Sequence, residues 1–220
     1  MTHIATGMMV RLRGVRLAAV PVLLMGAASC GPPPPVGVER GAELYETCEP
    51  CHGDMGAGDP DIEAPSIAGL PQWYIEAQLE GFQSGLRGMH ASDLPGLRMR
   101  PMATSLNREG DIASVAEYVA SLPPTYPEST LHGNAGAGAE RYVTVCVACH
   151  GPEGLGMEEL HSPPIVQMPD WYLLSQLQNF KSGARGADPA DTWGMSMRIN
   201  TLALDEQAMQ DVIAYVQTLR

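Results

Sequence analysis

The chain has 220 residues and is acidic, with 13 lysines and arginines against 25 aspartates and glutamates, a net of −12. That balance argues against nucleic acid and anionic lipid surfaces as partners and favours a basic protein face. Apolar residues make up 45% of the sequence, enough for one or two packed cores, although aromatics make up only 5%.

Residues 1–29 contain Arg11, Arg13 and Arg16 and no acid, and Leu17 to Ser29 is small, apolar and uncharged. This reads as a secretory leader, since its 13-residue apolar run falls short of the roughly 20 needed to span a bilayer. It ends in Gly26-Ala27-Ala28-Ser29-Cys30, which resembles the bacterial lipoprotein box, with Cys30 as the lipidated first residue of the mature chain. Ala27 stands where leucine is usual, and ordinary cleavage near Ala28 or an uncleaved anchor are the alternatives. Without the leader the chain carries 10 basic and 25 acidic residues, a net of −15. A proline-rich tether follows at 30–37, with Pro32 to Pro35 stiff and extended.

The first domain is expected at 38–122. A helix from Glu39 to Cys48 leads into Cys48-Glu49-Pro50-Cys51-His52. Two thiols two residues apart can add to the two vinyl groups of one porphyrin, and the next histidine then reaches the iron. A redox disulfide or half a zinc site shares the Cys-x-x-Cys spacing. Pro71 to Gln83 reads as a second helix with Trp73, Ile75, Leu79 and Phe82 apolar, broken at Gly85. A third begins near Asn107, spaces Ile112, Val115, Ala116 and Val119 at a 3.6-residue period, and stops at Pro123.

Three prolines between Ser121 and Glu128 mark a linker, set at 123–132, and a second domain is expected at 133–220. Here the motif recurs as Cys146-Val147-Ala148-Cys149-His150. The two copies repeat at a constant offset of 98, from His52 and His150 through Pro65 and Pro163, Trp73-Tyr74 and Trp171-Tyr172, Gln78 and Gln176, to Arg87-Gly88 and Arg185-Gly186. After two deleted residues the pairing is expected to resume as Met99 with Met195, Leu106 with Leu202 and Tyr118 with Tyr215. A period this long indicates a duplicated domain. The fold class expected is all-α, and no run alternates as a strand would. Duplication, export and matched methionines favour haem over zinc, and a bound macrocycle would supply the apolar bulk that few aromatics leave missing.

A histidine leaves the sixth position of iron open, and a thioether there raises the potential and blocks substrate. Met99 and Met195 are the expected ligands, with Met102, Met197, Met89 and His90 as unmatched neighbours; simple packing is the usual role of a lone methionine. His132 and His161 are unmatched loop residues, expected on the surface.

With these features the mature chain resembles a two-haem cytochrome c of the cytochrome c4 type, that is, two tandem class I cytochrome c domains. The resemblance covers nearly everything from Glu39 to Arg220 and implies two covalently attached haem c groups with their iron. Cys48, Cys51, Cys146 and Cys149 would attach them, with His52 and Met99, and His150 and Met195, as iron ligands. It further implies that the carbonyls of Pro65 and Pro163 orient the histidines. Trp73, Tyr74, Trp171 and Tyr172 would line the haems, or else simply form core, and Arg87 and Arg185 would neutralise propionates.

The function expected is a non-enzymatic, periplasm-facing single-electron carrier, tethered through Cys30. It would run from a quinol-oxidising complex or dehydrogenase to a terminal oxidase or reductase. The competing expectations are a di-haem peroxidase or sulfur-compound dehydrogenase with one open iron, and a cytochrome subunit of a larger respiratory complex. From Val38 to Leu122 the net charge is −9, and from Gly133 to Arg220 it is −5, so the first haem is expected to have the lower potential.

Overall fold

The computed structural model describes Thr2 and residues 36–220. The leader, Cys30 and most of the tether lie outside the described residues.

The first half runs α1 (Val38–Tyr45), α2 (Glu49–His52), α3 (Gln72–Ser84), α4 (Leu94–Ser105) and α5 (Asp111–Ser121). The second runs α6 (Ala135–Arg141), α7 (Val147–His150), α8 (Asp170–Ser182), α9 (Thr192–Thr201) and α10 (Glu206–Gln217). Among the described residues the only extended pairings are the single bridges Asp59–Ala64 and Met157–Ser162, so each half is helical.

In each half the first and last helices cross at a glycine. A β-carbon on Gly41 would lie 2.0 Å from the Ser114 carbonyl oxygen, and one on Gly138 would lie 1.9 Å from that of Asp211. The absence of a side chain is therefore what lets these backbones meet. Tyr45 and Tyr118, and Tyr142 and Tyr215, then pack ring on ring at 5.2 and 5.3 Å. The buried stripe Val115, Ala116 and Val119 closes the first core from α5, as its 3.6-residue spacing requires, and Val212, Ile213 and Val216 do so in the second.

The halves are joined by a shared interior. Met168 sits in the first core, Tyr172 and Leu173 pack against it, and Ser66 Oγ donates to the Gln167 carbonyl at 3.3 Å. Asp170 heads α8 and takes the backbone N–H of Leu131 at 2.7 Å, while Arg220 Nε and Nη2 donate to the carbonyls of Val166 and Met168. These bonds fasten the linker and the C-terminus to the second half.

Two features depart from the simple repeat of three helices, one in register and one in element type. Tyr142 and Cys146 are four residues apart, whereas Tyr45 and Cys48 are three apart. The extra residue is absorbed as a π-helical turn, Tyr142–Cys146. The second departure is that the methionine segments are helices, α4 and α9, even though Pro101 lies inside the first.

The expected two-residue deletion before those methionines is not there. Asp93 Oδ1 caps the Gly96 N–H at 3.0 Å and Asp191 Oδ1 caps the Gly194 N–H at 2.8 Å, still at offset 98. Ala103 and Thr201 are both fully buried, and Leu106 and Leu204 are both 7% exposed. Leu202, the partner expected for Leu106, is 51% exposed. A single deletion falls after Leu204, and the tyrosine pairs at both ends of each half keep an offset of 97.

Candidate haem sites

The first motif lies where α1 ends and α2 makes one turn, which brings Cys48, Cys51 and His52 to one wall of an apolar cavity. Met99 and Met102 line the same cavity from α4, Leu79 and Phe82 line it from α3, and Met168 reaches it from the second half. His52 is 7% exposed and its Nδ1–H donates to the Pro65 carbonyl at 2.9 Å. His150, equally buried, donates to the Pro163 carbonyl at 3.0 Å. Burial pushes both imidazoles below their ordinary pKa, against the opposing pull of the proline carbonyls. Each ring is thus held neutral with Nε2 free for a metal.

Tyr45 Oη and Tyr142 Oη donate to the carbonyls of Gly53 and Gly151 at 2.7 and 2.6 Å, fixing the residue after each histidine. No disulfide joins Cys48 to Cys51 or Cys146 to Cys149, so all four sulfurs are available for attachment.

Polar groups enter the cavity at the seam between the halves. Arg87 Nη1 donates to Gln78 Oε1 at 2.7 Å and its Nη2 to Gln176 Oε1 at 3.2 Å. Arg185 does the converse, Nη1 to Gln176 at 2.9 Å and Nη2 to Gln78 at 3.0 Å. Each guanidinium also lies over a phenylalanine ring, Phe82 at 4.4 Å or Phe180 at 4.5 Å. Neither arginine forms an ion pair among the described residues, and the Nε of each is buried without a partner. Burial and the Arg87 charge both push Arg185 below its ordinary range. The nearest acids, Asp93 and Asp191, act on these two buried cations only from beyond ion-pair distance, and the site fits a group that brings carboxylates to the arginines themselves. The pattern Gln-x8-Arg in each copy is the sequence signal of this pair, and the surface position usual for arginine does not apply.

A planar apolar macrocycle with two propionates fits this cavity: two cysteines free of a disulfide, a buried imidazole, thioethers and apolar side chains in the lining, and arginines at the seam. His90 lies outside the lining, exposed, with Nδ1 bonded to Ser92 Oγ at 2.8 Å. Tyr74 and Tyr172 line the cavity, whereas Trp73 faces His161 of the other half at 6.2 Å.

In the second half the helix register pairs Met99-Arg100 with Met197-Arg198. On α9, Met197 shares the i, i+3, i+7 stripe of the buried Gly194 and Thr201, and Met195 lies about 200° around the helix from it.

The cytochrome c family profile matches residues 38–123 and again 135–220. The chain belongs to the cytochrome c family. With a Cys-x-x-Cys-His motif in each of its two tandem domains, it is a di-haem c-type electron-transfer protein whose haems are covalently attached. It is 31% identical over 180 residues to the thiosulfate dehydrogenase electron acceptor of Stutzerimonas stutzeri, covering 76% of each chain. It is 27% identical to the cytochrome c4 of Pseudomonas aeruginosa, over 78% of this chain and 83% of that one. Among solved structures, thiosulfate dehydrogenase from Marichromatium purpuratum aligns with a TM-score of 0.67 and 30% identity over 82% of this chain, which spans 40% of that protein. Cytochrome c4 from Pseudomonas stutzeri aligns with a TM-score of 0.64 over 84% of this chain and all of its own, at 22% identity, a likeness of fold.

Proposed function

We propose that the protein is a one-electron relay with histidine and methionine on both irons: His52 with Met99, and His150 with Met197 in place of Met195. The observation that carries this is the first cavity, where a neutral, carbonyl-held histidine and a methionine line one apolar space together with two free thiols. Bound there, the haem supplies reversible one-electron chemistry. The chain's own residues orient the ring through Pro65 and Pro163, exclude water, and fill the position a substrate would need. The relay is therefore not itself an enzyme. The ferric protein should show two equivalents of the weak Met–sulfur absorption at the red limit of the visible. One equivalent or none would reopen the reading as a di-haem enzyme.

The donor we favour is a thiosulfate-oxidising dehydrogenase, because one relative is named as the electron acceptor of thiosulfate dehydrogenase and a solved thiosulfate dehydrogenase resembles this chain. The acceptor would be a terminal oxidase or reductase. Glu43, Glu46, Glu49 and Asp54 are exposed around the first motif, which suits a basic docking face there. Export to the periplasm with a lipid on Cys30 completes the proposal; no helix among the described residues is long and apolar enough to cross a membrane. Mixing the ferric protein with such a dehydrogenase and thiosulfate should reduce both haems, more slowly as salt rises. Thiosulfate reducing the protein without the enzyme would overturn the carrier reading.

A further inference from the structure

Two non-glycine residues among those described have a left-handed backbone, Glu63 at φ 57° and His161 at φ 47°, and they occupy the same place in the two halves. Each follows a 3-10 turn, Pro60–Ile62 or Glu158–Leu160, in a loop pinned by one backbone bridge. Each also stands two residues ahead of the proline whose carbonyl holds an iron-binding histidine. That conformation is unfavourable for a residue with a β-carbon and persists where surrounding contacts hold it.

Both side chains reach the helix that carries the methionine. Glu63 Oε2 lies 3.2 Å from Arg98 Nη2, one residue before Met99, and both residues line the first cavity. His161 has no acid in its place and stacks instead on Trp193 of α9, with ring centroids 4.7 Å apart and planes 19° from parallel. Trp73 from the first half meets the same imidazole edge-on.

Resting on the ligand reading above, we propose that Glu63–Arg98 and His161–Trp193 are latches. Each ties the loop behind a histidine ligand to the helix in front that supplies the methionine, and so holds that sulfur on its iron. These four are positioning residues. The first latch joins two charges with side chains 59% and 55% exposed, which salt screens. The second is a stacked aromatic pair, which depends on contact and ring electrostatics and resists salt. Raising salt therefore loosens the methionine of the first haem and leaves that of the second in place.

The test uses the full-length, haem-loaded protein. Carbon monoxide uptake by the ferrous form reads how often each methionine leaves, and Met99→Ala assigns the phase belonging to the first haem. Trp193→Ala should speed the second-haem phase about threefold to tenfold, and Trp193→Phe should restore it to within about twofold. Raising ionic strength from about 0.01 M to about 1 M should speed the first-haem phase severalfold. Arg98→Gln should make that phase fast at every salt concentration. Unchanged uptake in Trp193→Ala, or an equal response of both haems to salt, overturns the latches alone. Absence of the Met–sulfur absorption from the wild-type ferric protein overturns the methionine reading and the latches with it.

Discussion

Leu106 and Leu204 hold the same position in their halves. Each N–H bonds back to the buried residue three before it, and each carbonyl accepts from a side chain of the preceding long helix, Gln83 or Lys181. Counting seven residues back from each leucine reaches Met99 and Met197. Met99→Leu and Met197→Leu should each remove half of the ferric Met–sulfur absorption, whereas Met195→Leu should leave it intact. Loss in Met195→Leu and retention in Met197→Leu would reverse the assignment.

Gln78 accepts from both buried arginines, so Gln78→Leu strips an acceptor from two cations at once. A stability loss of about 2–3 kcal/mol is expected in denaturant titration. Arg87→Met should lower the potential of the first haem, because less positive charge favours the ferric state. A shift on the order of 50 mV is expected, about 59 mV corresponding to about 1.4 kcal/mol for one electron, and redox titration measures it.

Gly41→Ala and Gly138→Ala each place a methyl inside a carbonyl contact of about 2 Å across a helix pair. Each should cost about 2 kcal/mol or more, read as a lowered denaturant midpoint. An unchanged midpoint would mean that these helices do not meet as described.

Burial raises Tyr142 to about 12, with the nearby Tyr215 adding to it, and Tyr45 is raised further for the same first reason. A tyrosine raised on folding gives stability that is complete below its unfolded value near 10 and is lost as pH climbs through the folded one. Stability should therefore fall between about pH 10 and about pH 12. Tyr142→Phe should flatten that fall while costing about 1 kcal/mol at neutral pH through its bond to Gly151. Denaturant midpoints measured across that range check both effects.

The haem motifs, the duplication and the α5 helix are legible in the sequence because thiol spacing and a 3.6-residue period are local properties. Matching Met99 to Met195 requires a two-residue gap that the helix starts do not have. The better guide is the pair Asp93-x-x-Gly96 and Asp191-x-x-Gly194, a helix-start signal carried at the unbroken offset. Pro101 also disguised α4 as a loop. The arginine pair and the His161 stack join residues far apart in the chain, and no periodicity reports such contacts. The lone surface histidine expected at His161 is exposed but partnered.

The arginine–glutamine seam makes the same contact twice, Arg87 to Gln176 and Arg185 to Gln78. A contact that is its own mirror under exchange of partners is the hallmark of a two-fold homodimer. Fusing two copies of a self-pairing single-haem chain would leave this seam behind. The seam keeps this two-fold symmetry, whereas the Glu63–Arg98 and His161–Trp193 contacts and the turn before each haem motif differ between the halves.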